Sequence, residues 1–93
     1  MTWQMIHSRR VAREFKDLCA RADSEGRLKS VLTNMEHISL QLAKDPLSVG
    51  EPHNRLKHMD LLLSVVTVEK LVVRFAVDEK RHRVYLRSIA LLP

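Results

Sequence analysis

Ninety-three residues, 45% hydrophobic and 29% charged, are one domain's worth of chain, and a single domain with a two-layer core is expected. Two glycines and three prolines exclude a flexible linker or low-complexity segment, and no internal repeat is visible. Sixteen Lys and Arg against eleven Asp and Glu give a formal charge of +5. That surplus favours polyanions or an acidic partner at long range and says nothing about fold.

Cys19 is the single cysteine, so no intrachain disulfide is available and nothing indicates secretion. No apolar run approaches the ~18 residues of a membrane span, and no basic segment leads into an apolar one at the N-terminus. A cytoplasmic protein without membrane association is expected.

Thr2 to His7 alternates, with Trp3 and Met5 on one side and Ile6 on the other, which predicts a short strand. Ser8 stands where a helix N-cap belongs, because its hydroxyl can accept a free first-turn amide. Val11, Phe15, Leu18, Cys19 and Ala22 then follow at helical spacing, with Arg9, Arg10, Arg13, Lys16 and Asp17 on the remaining face. Asp23-Ser24-Glu25-Gly26 breaks this helix, and Asp23 or Ser24 is the expected cap of the next. Leu28, Val31, Leu32, Met35, Ile38 and Leu42 mark a second amphipathic helix. Lys44 suits its C-terminal dipole, and Asp45-Pro46 ends it, since the residue before proline is driven out of the α region. The two helices should form an antiparallel hairpin.

Leu47 to Lys57 reads as a loop, with Pro46, Gly50 and Pro52 among polar residues. Met59 to Leu92 then reads as three strands, with Glu69-Lys70 and Asp78 to His82 at the turns. Connectors this short require an antiparallel meander. In the last strand Val84, Leu86, Ser88 and Ala90 are expected on one face, opposite Arg83, Tyr85, Arg87, Ile89 and Leu91. One sheet face should cover the helices, and the other should carry Ser64, Arg74 and Arg87. The fold class is α+β, in the order β-α-α-β-β-β, with the helical hairpin packed on one face of an antiparallel sheet.

Two basic localities stand out. Lys80, Arg81, Arg83 and Arg87 form one, and His53, Arg55, Lys57 and His58 the other. For both, a solvated tip or loop is the bland alternative, since charge also protects sheet edges. Arg74 interrupts an apolar strand, so its charge must reach solvent, a ligand or a carboxylate such as Glu69 or Asp60. Tyr85 beside these cations is placed to stack or to donate a proton, or else packs as strand tyrosines commonly do. No spacing suggests a metal site, and no cofactor is expected.

The order of elements, with Leu-Ala-Lys-Asp-Pro (42–46), Arg-Leu-Lys-His-Met (55–59), Val77-Asp78 and Val84-Tyr85-Leu86-Arg87-Ser88-Ile89, resembles the RelE/ParE toxin superfamily of bacterial type II toxin–antitoxin systems. The resemblance covers nearly the whole chain. It implies a ribosome-dependent mRNA endonuclease or a gyrase inhibitor, a monomer or dimer when free, restrained by a cognate antitoxin. An endonuclease of this kind would need no metal. Cations would stabilise charge on the phosphate during attack by the 2′-OH, with Arg74 and Arg87 as the catalytic candidates. Arg55, Lys57, Lys70, Arg83 and Tyr85 are the candidates for nucleic-acid or partner binding. The sequence departs from the family pattern where second-strand cations are usual, at Leu62 and Ser64. A basic residue expected after the last strand falls near Leu92, and the segment that often adds a Tyr or His has no counterpart before Pro93. These departures keep open a second class, a non-catalytic protein-binding module of the same fold. A third, an unrelated small nucleic-acid binder, rests on charge alone.

Overall fold

Ser8 starts the helical layer. Its hydroxyl accepts the Val11 amide at 3.2 Å, so the chain passes directly from strand β1 (Gln4–His7) into helix α1 (Arg9–Ser24). The computed structural model describes residues 2–93. Helix α2 (Leu28–Lys44) follows, and then strands β2 (Glu51–Leu56), β3 (Leu61–Val68), β4 (Leu71–Asp78) and β5 (Arg83–Leu91).

Neither Asp23 nor Ser24 caps α2. Both lie within α1, where the Ser24 hydroxyl donates to the Arg21 carbonyl at 2.8 Å. Gly26, at φ +73°, ends α1 instead, and the Arg27 amide reaches back to the Ala22 carbonyl at 2.7 Å. A left-handed residue after the last turn closes free carbonyls in this way. Arg27 then precedes α2 without a side-chain cap.

The sheet has five strands in the order β1-β5-β4-β3-β2. It is mixed rather than antiparallel, because β1 runs parallel to β5 while the other pairs are antiparallel. The strand not foreseen is β2, the segment expected to be a loop. Glu51–Leu56 has no apolar alternation, yet it pairs with β3 along the sheet edge. An edge strand needs only one paired side, so polar residues are tolerated, and so is Pro52, which has no N–H to donate. The pairing slips between Pro52 and Asn54, leaving His53 as an extra residue.

The core lies between the helices and one sheet face. Val11, Leu18, Ala22, Val31, Met35, Ile38 and Leu42 from the helices meet Leu71, Val73, Phe75, Val77, Val84, Ile89 and Leu91. Those last residues correct the expected faces of β5. The pairing with β4 shifts between Arg74 and Phe75, which face Ser88 and Leu86 respectively, so Arg87 is an inserted bulge residue. Leu86 and Ile89 therefore both look toward the helices, and Arg87 and Ser88 between them fall on the other side. Ser64 is also corrected. It pairs with Phe75 and is buried on the helix side, opposite Arg74.

The β3–β4 turn uses Glu69 and Lys70, both at positive φ (47° and 73°), the geometry of a two-residue hairpin that usually takes Asn or Gly. Glu69 is anchored there by α2, whose Ser30 hydroxyl and Asn34 amide donate to its carboxylate at 3.2 and 3.0 Å.

Gly50 leads the chain into β2 at φ +72°, and a Cβ on it would press into the Val65 carbonyl. Gly50→Ala should therefore cost about 1–3 kcal/mol in urea unfolding and loosen the β2–β3 pairing. Unchanged stability would mean that β2 does not dock as described.

Candidate partner-binding face

Both helices pack on one face, so the other face of the sheet is free of helices. Its side chains form four rows across the strands, set by the pairing. The first row is Gln4, Arg83, Asp78, Leu61 and Leu56, and the second is Ile6, Tyr85, Ala76, Leu63 and Asn54. Ser88, Arg74, Val65 and Glu51 make the third, with Arg87 beside Ser88. Ala90, Val72 and Thr67 make the fourth. Leu63, Val72 and Ala76 are buried but stand apart from the helix-facing core. The face thus has an apolar centre of Leu63, Val65, Val72 and Ala76, with Arg74, Arg83 and Arg87 around it and the carboxylates Asp78 and Glu51 toward its margins.

Arg74 is exposed beside this apolar centre. Among the described residues it has no carboxylate partner, and both suggested partners are engaged elsewhere. Glu69 is held by α2, and Asp60 pairs with Lys80 at 3.2 Å. Its pairing neighbours are Val65 and Ser88. Arg87 is likewise exposed, and the bulge sets it next to this row. Arg83 and Tyr85 are half-buried on the same face. Of the seven site residues expected from the sequence, these four are brought together.

The other three are not. Lys70 sits in the β3–β4 turn, at the opposite end of the sheet from Arg83, and its carbonyl accepts the Leu92 amide at 2.8 Å. Arg55 shares its position with Leu62 rather than with the helix-free face, and it pairs with Glu79 at 3.5 Å. Lys57 and His58 lie exposed in the turn after β2, and His53 is exposed on that edge strand.

Two of the four cations of the basic tip, Lys80 and Arg81, are neutralised within it. Besides the Lys80–Asp60 pair, the Arg81 guanidinium meets Asp78 at 3.0 Å, and the Arg81 amide donates to the same carboxylate at 3.1 Å. The Asp78 side chain is 2% exposed. That amide is the main reason its carboxyl titrates below the usual carboxylate range. Burial opposes the shift, and the guanidinium adds to it. A shallow pocket of about 250 Å³ opens beside this pair, lined by Met59, Leu61, Asp78, Arg81 and Tyr85. Sequence reasoning missed Asp78 as the anchor of the tip, although an acid three residues before a turn arginine was the available signal.

Leu62 and Ser64, where family cations were sought, look into the helix layer. A cation there would not reach the helix-free face. No helix among the described residues is long and apolar enough to cross a membrane. Compared with protein-family models, curated proteins and solved structures, the chain matches none.

Asp78 gives a pH test. Its folded carboxyl titrates below the unfolded value of ~3.9, so its stabilising effect is complete above about pH 4 and is lost as pH falls through the folded value. Asp78→Asn should be less stable than the parent at pH 7, and the two urea-unfolding curves should converge on acidification below about pH 4. A gap that stays constant to low pH would contradict this role.

Proposed function

We propose that this chain is a toxin-like protein of the RelE/ParE kind, from a bacterial type II toxin–antitoxin system. In this reading its helix-free sheet face binds an acidic, apolar segment of a cognate antitoxin. The reading rests on the sequence resemblance and on a helical pair inserted between a first strand and an antiparallel meander. One observation carries the partner's chemistry: Arg74, which has no carboxylate partner among the described residues, stands beside Val65, Leu63, Val72 and Ala76. A partner that covers that apolar centre must bring an anion to the guanidinium, since an unpaired buried charge is costly. The apolar surface left for it to cover is mainly that of the half-buried Val65 and Tyr85.

Binding is favoured over catalysis. Cleavage by 2′-OH attack requires a group that moves protons beside the cations, and the residues paired with Arg74 are Val65 and Ser88. Tyr85 offers the one phenol on the face, between Arg83 and Arg87 along β5. The endonuclease reading therefore survives as an alternative that depends on Tyr85. The target would be the ribosome with its mRNA, or gyrase.

Expression in a bacterial host tests both readings. The chain alone should arrest growth, and co-expression of the protein encoded beside it should relieve the arrest. Arg74→Glu should weaken that complex roughly tenfold or more, equivalent to about 1.4 kcal/mol, and Tyr85→Phe should leave the arrest intact. Absence of arrest, or a complex indifferent to Arg74→Glu, would sink the proposal. Arrest abolished by Tyr85→Phe, with cleaved mRNA before the change, would favour the endonuclease.

A further inference from the structure

The bulge that sets Arg87 beside Arg74 occurs where β5 has no strand on its outer side. β1 pairs only with residues Arg83 to Leu86, while β5 continues to Leu91. The backbone groups beyond Leu86 on that side meet α1 instead. Arg10 donates to the Arg87 carbonyl at 2.9 Å, and the Ile89 amide donates to Glu14 at 3.3 Å. Arg10 and Glu14 are themselves joined at 2.7 Å, one helical turn apart. The two contacts fall on either side of Ser88, so they hold the bulged segment from behind while Leu86 and Ile89 anchor it in the core.

We propose that Arg10 and Glu14 are positioning residues of the helix-free face. By taking the Arg87 carbonyl and the Ile89 amide, they fix the bulge and thereby place Arg87 next to Arg74. The pair of arginines then presents two cations at a set spacing to the acidic segment of a partner. This inference rests on the binding reading above for its ligand, although the positioning itself does not. A bulge is a local departure from pairing that re-aims a side chain, and here α1 holds the outward backbone groups on either side of Ser88, which opposes a slip into regular alternation. Slippage by one residue would turn Arg87 and Ser88 out of their present relation to Arg74.

The exposed Arg10–Glu14 pair adds little to global stability, as surface ion pairs generally do, so positioning and folding can be separated. The probe is a synthetic peptide of alternating Glu and Leu, titrated into the folded chain by NMR. Arg10→Ala should weaken binding as much as Arg87→Ala does, and the double variant should be no weaker than Arg87→Ala alone. Arg10→Lys, which keeps a donor for the carbonyl, should restore binding, and all variants should melt within a few degrees of the parent. In Arg10→Ala and Glu14→Gln, the Ile89 amide should exchange faster and the Arg87 guanidinium resonance should move. Binding lost equally and additively in the double variant would overturn the proposal, and so would an Arg87 resonance and Ile89 exchange rate that do not change. Failure of the parent chain to bind the peptide would instead count against the binding reading. The resonance and exchange changes would then decide the positioning role by themselves.

Discussion

A nine-residue strand lies beside a four-residue one, and the rest of this structure depends on how the difference is made up. β5 would otherwise expose an unpaired edge from Arg87 to Leu91, the kind of edge that invites unwanted pairing. α1 covers it with side chains spaced along one helical stripe. Arg10 and Glu14 take the Arg87 carbonyl and the Ile89 amide, and Arg21 takes the Leu91 carbonyl at 3.2 Å. The adjoining stripe of the same helix, about 80° round its axis, supplies Val11, Leu18 and Ala22 to the core. One helix thus closes the sheet edge and shares with α2 the cover of one face, and the other face is left bare.

The bulge within that covered stretch divides the strand's residues between the two layers. Ile89 and Leu91 complete the core, and Arg87 and Ser88 join Arg74 on the bare face. Two cations of the β4–β5 turn have carboxylates of their own, Asp60 for Lys80 and Asp78 for Arg81. Arg74 and Arg87 do not, among the described residues. The functional asymmetry follows from this pattern of pairing rather than from the overall charge of +5, since paired cations present little net field to a partner.

Much of the fold was legible because its signals are local. Ser8 capping α1 and Asp45-Pro46 ending α2 are decided within a turn of chain. The helical stripes and the β3–β4 hairpin are likewise decided by short-range spacing. What escaped the sequence depends on distant partners. β2 has no apolar period of its own and exists because β3 offers it an edge. Arg55 and Lys80 looked like free cations until the fold brought Glu79 and Asp60 to them. The bulge is the instructive intermediate case. Val84, Leu86, Ile89 and Leu91 step by two, three and two, and the step of three marks an inserted residue. Strict alternation across the whole strand placed Ser88 and Ala90 with the core-facing set and obscured that mark.

The most direct test of this account is the pattern of NOEs across β4 and β5 in solution. The bulged strand predicts contacts from the Ile89 methyls to Phe15 and Leu18, together with contacts between the Arg87 or Ser88 side chains and Arg74. Core contacts from Ser88 and Ala90 in place of Ile89 and Leu91 would contradict it, because β5 would then be regular and the two arginines would have no shared site.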